Sequence, residues 1–177
     1  MKNRWSDAAV SSFLKQFAGF DRDVLLRTYS GQLLGSDPTL VLHGGGNTSV
    51  KSNVTDITGT QIPALFVKPS GGNLSRLQPG DYVCLDLDYL RKIVSLSDLS
   101  DSRMAEIFRM HMLQPSMSMP SVEALVHAVI PHGFVDHTHP EAILVLTNLK
   151  NGPKLVKKAL GDGVVVLPYQ RRSEERR

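Results

Sequence analysis

The sequence predicts an α/β domain in which helices cover a mainly antiparallel sheet. Three observations support this fold class: helix-like spacing of apolar residues at the start of the chain, short apolar segments in the middle, and alternating helical and extended segments after that. Sequences rich in glycine, proline and asparagine separate the middle segments, and such residues are typical of turns.

Two helices are predicted before the sheet. Apolar residues recur at helical spacing from Ala8 to Phe17 and from Asp21 to Leu34. Gly19 and Gly35 follow these segments at positions where helices commonly end.

After Pro38 the pattern changes to short apolar segments that we predict to be strands. In chain order they are Leu40 to Leu42, Thr48 to Val54, Ala64 to Val67 and Tyr82 to Leu87. In the last of these, apolar residues alternate with Cys84 and Asp86, which is the two-residue period of a strand. Cys84 has no adjacent histidine, so we interpret it as an inert core residue rather than a nucleophile.

The second half of the chain alternates between helices and strands. The predicted elements are a helix from Ser102 to Met112, a helix from Ser121 to Ile130, a strand from Phe134 to Thr138, a helix from Glu141 to Leu149 capped from the Thr138 to Pro140 corner, and a buried strand from Val164 to Leu167. No repeat or linker divides the chain, so we expect one domain over residues 1–168 and a basic, flexible tail at 169–177.

Composition excludes several classes of protein. The 177 residues are 41% hydrophobic and 21% charged, which is ordinary for a globular protein with a sizeable core. A single cysteine and the lack of any apolar run near the ~20 residues of a membrane span favour a cytoplasmic protein without membrane association. The last eight residues supply +2 of the +3 net charge, so we expect no nucleic-acid partner.

The strongest local signal of chemistry is His137-Thr138-His139. On an extended strand, residues two apart project from the same face, so both imidazoles can converge on one metal ion, and imidazole suits zinc. Short histidine pairs also occur in solvated loops and as core histidines bonded to the backbone. The pair alone leaves both interpretations open.

Glu123, at the start of a predicted helix, supplies a carboxylate that could act as a base or a further ligand beside a metal. The alternative is a surface glutamate, since a carboxylate is favoured at a helix start whatever its function. His127 lies four residues on, on the same face, and either supports the site or is a hydrogen-bonded core histidine. We assign no role to His111 and His132.

Two glycine-rich loops contain many hydrogen-bond donors. The segment from His43 to Ser49 holds three successive glycines before Asn47, and the segment from Lys68 to Gly72 is similar, with two successive glycines after Ser70. Backbone N–H groups approach anions closely at glycines. Neither loop has the Gly-Lys-Ser/Thr of a P-loop, and a hairpin turn explains either one alone. With the histidine pair and Glu123, the two loops favour a small phosphorylated ligand near a metal.

Four stretches, in this order, resemble the class II aldolase/adducin family. They are His43 to Ser49 (HGGGNTS), Lys68 to Gly71 (KPSG), Pro120 to His127 (PSVEALVH) and His137 to Pro140 (HTHP). The resemblance runs from about Trp5 to Asn148. The GGGNTS form and the LDLD segment from Leu85 to Asp88 are most similar to the aldolase half of bifunctional rhamnulose-phosphate aldolase/alcohol dehydrogenase proteins.

The resemblance implies an α/β/α sandwich, usually a homo-tetramer, that reversibly cleaves a ketose phosphate into dihydroxyacetone phosphate and an aldehyde. It implies that zinc is the cofactor, that His137 and His139 are zinc ligands, and that Glu123 is the catalytic acid/base. The residues that it places around the substrate phosphate are Gly46, Asn47, Ser70, Gly71 and Ser121. In such a site zinc polarises the ketone oxygen and the carboxylate moves the proton.

One departure from the family concerns the metal. Family members place a third zinc histidine well downstream of the pair, whereas no histidine follows His139 here. Because a catalytic zinc normally has three protein ligands, two histidines predict a weak site unless Glu123, Asp162 or a partner chain completes it. The sequence after Pro168 does not resemble the family continuation, so we expect a truncated or frame-shifted version of a longer aldolase.

Two other functional classes are considered beside the enzyme. The first is a catalytically silent domain of the same fold, either a truncated remnant or a binding and assembly module. The missing third histidine favours it, and the retained Glu123 and histidine pair argue against it. The second is a metal-dependent hydrolase that begins with His-X-His. We disfavour it because such barrels typically need ~250 residues and carry the pair near their start.

Overall fold

The structure is a computed structural model that describes residues 3–96, 99–115 and 118–168. The predicted tail at 169–177 lies outside the described residues. The helices are α1 (Asp7–Gln16), α2 (Arg22–Gly35), α3 (Leu87–Ile93), α4 (Asp101–Met110), α5 (Ala124–Val129), α6 (Glu141–Thr147) and α7 (Gly152–Leu160); the strands are β1 (Asn47–Thr55), β2 (Gln61–Val67), β3 (Val83–Asp86) and β4 (Phe134–His137). No helix within the described residues has the length and apolar character to cross a membrane.

The described residues form a four-stranded sheet in the order β3-β2-β1-β4, and each neighbouring pair is antiparallel. Side chains of β2 and β3 therefore alternate between two faces, and both faces are buried. One face packs against α3, α4 and α5, through Leu65, Val67, Val83, Leu85, Leu90, Ile107, Phe108 and Ala124. The other face packs against α2 and a short 3-10 turn, through Val24, Val50, Ala64, Phe66, Leu74 and Cys84. The three layers confirm the α/β/α fold with a mainly antiparallel sheet.

The alternation of side chains along β1 decides which layer each one faces. Ser49 and Lys51 lie on the α5 side, where the Ser49 hydroxyl is 2.7 Å from ring Nδ1 of His127 and Lys51 Nζ donates to two carbonyls that follow α5 at 2.6 and 2.7 Å. Asn47 has the same parity and shares this face. Thr48 lies on the opposite, α2 side.

The pairing of β1 with β4 places the predicted metal ligands. His137 lies opposite Asn47, and Asp136 lies opposite Thr48. Residues directly opposite each other in an antiparallel pair share a face, so His137 is on the α5 side and Asp136 is on the α2 side. There the buried Arg27 donates from Nη2 to Asp136 Oδ1 at 2.8 Å, which ties α2 to β4.

Two predicted strands are wrong. Leu40 to Leu42 is a turn, because the Asp37 carbonyl accepts hydrogen bonds from the amides of Leu40 and Val41 at 3.0 and 3.1 Å. Because these two amides form local hydrogen bonds, they are not available to pair with a neighbouring strand. Val164 to Leu167 is neither strand nor buried, since Val165 is 86% exposed and Leu167 is 79% exposed.

The remaining predicted elements are confirmed with shifted ends, and two helices were missed. The predicted strand from Tyr82 to Leu87 ends at Asp86, whose side chain accepts from the Tyr89 amide at 2.9 Å and thereby begins α3. The missed α7 has a proline in its first turn. The side-chain cap expected for α6 is absent, since its N-cap is Pro140.

Gly35, the last residue of α2, allows a backbone approach that no side chain permits. A Cβ at this position would lie 2.6 Å from Leu74 Cβ and would also overlap the Ser75 amide. The equivalent Cβ at Gly133 meets nothing within 4 Å, and neither glycine has a positive φ.

We therefore expect Gly35→Ala to destabilise the protein, although alanine favours helices, because relief requires backbone movement. The expected loss of unfolding free energy is about 1–3 kcal/mol, measured by urea denaturation. The control, Gly133→Ala, should have the wild-type midpoint. Equal midpoints for the two variants would contradict the packing of α2 on this turn.

Candidate functional site

The two histidine rings meet at the end of β4. The strand ends at His137, and His139 follows two residues later, held by a hydrogen bond of 2.8 Å from its amide to the Leu40 carbonyl. The two Nε2 atoms are 3.1 Å apart. His137 is half-buried and His139 is exposed, so the nitrogens face each other at the surface of the site. The expected convergence of the two rings is confirmed.

Glu123 is in direct contact with this pair. It is the N-cap residue of α5, but its side chain makes no capping hydrogen bond. Instead its Oε2 accepts from His137 Nδ1 at 2.8 Å. The contact places Glu123 against the histidine pair, and it agrees with both interpretations left open by the sequence, a site carboxylate and a surface glutamate that pairs with a neighbour.

The contact with Glu123 determines the tautomer of His137. A carboxylate only accepts, so Nδ1 of His137 carries the hydrogen and its Nε2 presents a lone pair. Carboxylates orient metal-binding histidines in this way. The hydrogen bond to Glu123 raises the pKa of His137, against an opposing effect of burial. Burial would raise the pKa of Glu123, but the hydrogen bond and charge of His137, with the Asn47 amide, lower it to about 2.

His127 is a hydrogen-bonded core histidine that also lies beside Glu123. It is 2% exposed, and its Nδ1 is bonded to the Ser49 hydroxyl. Its Nε2 lies 4.0 Å from Glu123 Oε2. Burial lowers the pKa of His127 to about 4, so the ring is neutral at neutral pH and packs behind the Glu123 carboxylate.

The first glycine-rich loop lies directly against the histidines. A Cβ at Gly45 would be 3.2 Å from His139 Nδ1, and a Cβ at Gly46 would be 2.9 Å from the His137 carbonyl oxygen. Gly46 also has a φ of +68°. Glycine is required here because the loop must approach the end of β4 closely. His43, at the start of the loop, has a φ of +51°, which is uncommon for a residue with a side chain.

The second loop, after β2, lies beside the segment that precedes Glu123. The Ser70 amide donates to the Met119 carbonyl at 2.9 Å, and the Ser121 amide donates to the Lys68 carbonyl at 3.3 Å. A Cβ at Gly44 would be 3.1 Å from the Gly71 carbonyl oxygen, so the two glycine-rich loops also touch. Every residue that the family resemblance placed around a phosphate thus lies in segments that meet at one end of the sheet, where β1 begins and where β2 and β4 end.

Asn47 is the buried amide of this group. It is 1% exposed, and its Oδ1 accepts from the Thr48 amide at 2.7 Å. Its Nδ2 is buried and makes no well-formed hydrogen bond among the described residues, although a weak interaction with the Glu123 carboxylate helps to lower the pKa of that group. A buried donor without a well-formed hydrogen bond is costly, and such a group commonly serves a ligand.

The histidines fit two ligand positions of a zinc site. Nitrogens that each bind zinc at about 2.0–2.1 Å lie roughly 3.3 Å apart in a tetrahedral site, close to the spacing found here. The expected completion by Asp162 is not seen, because its carboxylate pairs with Lys157 at 3.2 Å. Glu123 contacts Nδ1, the ring nitrogen remote from the metal position. Within residues 3–96, 99–115 and 118–168, no group of three or more His, Cys, Asp or Glu side chains could hold a metal ion.

Lys68 is the site residue that the sequence analysis missed. It is 2% exposed, and its Nζ donates to the Gly72 carbonyl at 2.7 Å and to the Gly44 carbonyl at 3.3 Å. The available signal was a lysine that directly follows the apolar run of β2 and precedes Pro-Ser-Gly-Gly.

The lowered pKa of His127 predicts a pH-dependent loss of stability. An unfolded histidine takes up its proton near pH 6.5, whereas the folded one does so near pH 4. The unfolded state therefore binds more protons between these values, and stability falls as the pH is lowered from 6.5 to 4, by up to about 1.4 kcal/mol per pH unit from this group. His127→Gln should reduce this slope in urea titrations.

The control for this measurement is His132→Gln, which changes an exposed histidine and should retain the wild-type slope. The raised pKa of His137 changes stability with pH in the opposite direction, but His137 is present in all three proteins. An unchanged slope in His127→Gln would show that His127 is not held neutral.

Comparisons with known proteins show the family to which the chain belongs. Residues 29–177 match the model of the class II aldolase and adducin N-terminal domain. A solved structure, the N-terminal class II aldolase domain of a conserved protein from Thermoplasma acidophilum, is 38% identical, with a TM-score of 0.82 over 96% of this chain and 74% of that chain. An uncharacterized oxidoreductase, YuxG, from Bacillus subtilis (strain 168) is 35% identical over 143 residues, which are 81% of this chain but only 21% of that protein. The chain belongs to the class II aldolase/adducin family.

Proposed function

We propose that this domain carries a zinc-dependent class II aldolase site that cleaves a ketose phosphate into dihydroxyacetone phosphate and an aldehyde. The observation that carries the proposal is the convergence of the two Nε2 atoms at 3.1 Å beside a carboxylate that contacts one of the rings. The family is generally zinc-dependent, which agrees with this donor set.

His137 and His139 would hold the zinc ion, and a third ligand would come from outside the described residues or from a partner subunit. When bound, zinc polarises a carbonyl oxygen and stabilises the negative charge that develops on it. The rigidity of the pair supports this assignment. The His137 ring is held by Glu123, and the backbone of His139 is held by the Leu40 carbonyl, so both residues are already placed at the metal position.

Glu123 is proposed to move the proton that carbon–carbon cleavage requires. With a pKa of about 2 it is ionised at neutral pH, which is the proton-accepting form. Its Oε2 is engaged with His137, so we assign the proton to Oε1. The buried, neutral His127 excludes water behind the carboxylate.

The substrate phosphate is proposed to lie between the two glycine-rich loops. Asn47 Nδ2 supports this position because it is a buried donor that makes no well-formed hydrogen bond among the described residues and interacts only weakly with Glu123. Ser70, Gly71 and Ser121 lie in the adjoining segments, and Gly46 has the positive φ that a glycine in a tight anion-binding loop adopts readily. Phosphates are commonly held by such clusters of amides and hydroxyls.

The sugar proposed as substrate is a rhamnulose-phosphate-like ketose. The sequence resemblance to bifunctional aldolase/dehydrogenase proteins supports it, and the Bacillus subtilis relative is described as an oxidoreductase of which this chain matches only 21%. An aldolase domain within a longer protein that also carries a dehydrogenase would have these features.

Assembly into a homo-oligomer is part of the proposal. Family members are commonly oligomeric. None of the residues of α6 is buried, although the helix contains five apolar side chains, and Val145 is 65% exposed. A helix with an uncovered apolar surface is typical of an interface.

The second candidate is a catalytically silent module of the same fold. One observation favours it: the described residues supply only two ligands to the metal position. Zinc content and turnover distinguish the two functions, and the His137 ring oriented by Glu123 supports the enzyme.

The first test is zinc per chain by elemental analysis of protein purified with zinc. We expect near-stoichiometric zinc in the wild type and its loss in both His137→Ala and His139→Ala, because each removes one of two converging ligands. His132→Ala, which changes an exposed histidine that precedes β4 whereas the pair lies at the end of this strand, is the control and should keep its zinc. Little zinc in the wild type would favour the silent module.

The second test is cleavage of ketose 1-phosphates, followed by coupled reduction of dihydroxyacetone phosphate. Glu123→Gln should lower kcat by roughly 100-fold or more while zinc content stays unchanged, since the amide oxygen still accepts from His137 Nδ1. Zinc-loaded wild type that cleaves no ketose 1-phosphate would end the aldolase proposal for this chain.

A further inference from the structure

A polar cluster lies behind the histidine site, on the α2 side of the sheet. Arg27 is 2% exposed, and its Nη2 donates to Asp136 Oδ1 at 2.8 Å and to Ser30 Oγ at 2.7 Å. The Thr48 hydroxyl donates to the same Asp136 oxygen at 3.0 Å. Thr48 and Asp136 lie directly opposite each other in the sheet, one residue before His137 along β4. The cluster therefore joins α2, β1 and β4 next to a proposed metal ligand.

The position of β4 depends little on burial of its own side chains. The strand lies at the edge of the described sheet and pairs with β1 over four residues. Of these four residues only Val135 is buried, and Phe134 is 44% exposed. The register of a strand with so little buried apolar surface is weakly specified, and a slip of one residue would move His137 to the other face. An interaction with another element is therefore needed to fix the end of β4.

Stability alone does not explain the buried guanidinium. Its Nε is buried and has no hydrogen-bond partner among the described residues. The Asp136 side chain is 38% exposed, so water can hydrate this carboxylate without the arginine. Replacement of a buried ion pair by apolar residues is often neutral or stabilising, and the best-attested use of such pairs is to specify one arrangement. Arg27 Cζ also lies 5.6 Å from the centre of the Phe134 ring, so the arginine contacts two residues of β4.

We infer that Arg27 is a positioning residue for His137: by holding Asp136, it places the end of β4 so that the His137 ring meets Glu123 and presents Nε2 to the metal position. The consequence for metal binding rests on the proposed function, whereas the orientation of the ring does not. A displacement of about 1 Å would break the bond of 2.8 Å between His137 Nδ1 and Glu123 Oε2. The ring would then exchange between its two tautomers, because the partner of Nδ1 selects which nitrogen carries the hydrogen.

Lys51 is a matched control on the other face of the same strand pair. Its Nζ donates to the carbonyls of Ile130 and His132 at 2.6 and 2.7 Å, in the segment that leads into β4. Lys51→Met therefore removes a cation that anchors the start of the strand and leaves the contacts at the His137 end in place.

The experiment is heteronuclear NMR of the histidine ring nitrogens in metal-free wild type, Arg27→Met, Asp136→Ala and Lys51→Met, at a pH where the His137 ring is neutral. We expect the hydrogen on Nδ1 in the wild type and in Lys51→Met. The ratio of the Nδ1–H to the Nε2–H tautomer should fall roughly fivefold or more in Arg27→Met and in Asp136→Ala. Arg27→Lys, which keeps the charge but loses the planar fork, should recover part of this ratio.

The melting temperature of each variant separates positioning from stability. An unchanged His137 tautomer in Arg27→Met or in Asp136→Ala would overturn the inference, because an ion pair that only stabilises the fold lowers the melting temperature and leaves the ring in place. An equal change of tautomer in Lys51→Met would also overturn it, since any loosening of β4 would then suffice. If Arg27→Met does not fold, Asp136→Ala decides, because its side chain is already partly solvated.

Zinc titration of the same proteins distinguishes this inference from the proposed function. We expect Arg27→Met to bind zinc roughly tenfold more weakly than the wild type, and Lys51→Met to resemble the wild type. A tautomer that depends on Arg27, in a protein that binds no zinc in any variant, would support the positioning of His137 and contradict the proposed metal site.

Discussion

The antiparallel pairing of β1 with β4 is the constraint on which the rest of the site depends. It sets His137 opposite Asn47 on the face covered by α5, so that Glu123 at the start of α5 reaches the ring. A slip of one residue would move every side chain of β4 to the other face. The ion pair between Arg27 and Asp136 lies on the opposite face of the sheet and favours the same register of β4.

The charges of the site are mutually dependent. Glu123 stabilises the protonated form of His137 and is itself kept ionised by that ring, while Lys68 lowers the pKa of His137. The buried His127 stays neutral and adds no charge behind them. A half-buried carboxylate, a buried ammonium and two imidazoles are tolerated together because each charged group has a hydrogen-bonded partner, whether a side chain or a backbone carbonyl. Removal of one of these groups would therefore change the pKa values of the others.

Much of this architecture is predictable from sequence, because it depends on local patterns. Short apolar segments identified β1 to β4, with a two-residue alternation in β3, and the two-residue spacing of His137 and His139 identified the converging pair. Two kinds of feature were not accessible. The first is competition from side-chain capping, as when Asp86 ends β3 and begins α3. The second is a contact between segments far apart in the chain, such as Lys68 Nζ with the Gly44 carbonyl, which no spacing rule describes.

The incomplete ligand set lowers the expected affinity for a metal ion more than it changes the position of the two histidines. Backbone hydrogen bonds, close glycine contacts and the Glu123 contact already hold both rings and both loops, so binding a metal ion or an anion would require little rearrangement. Preorganisation reduces the cost of binding but adds no ligand. In the proposed site the two histidines would fix the position of the zinc ion, and a third ligand, from outside the described residues or from a partner subunit, would add the affinity without changing this geometry. The proposed enzyme and the silent module therefore share one fold and differ in whether a third ligand is present at the metal position.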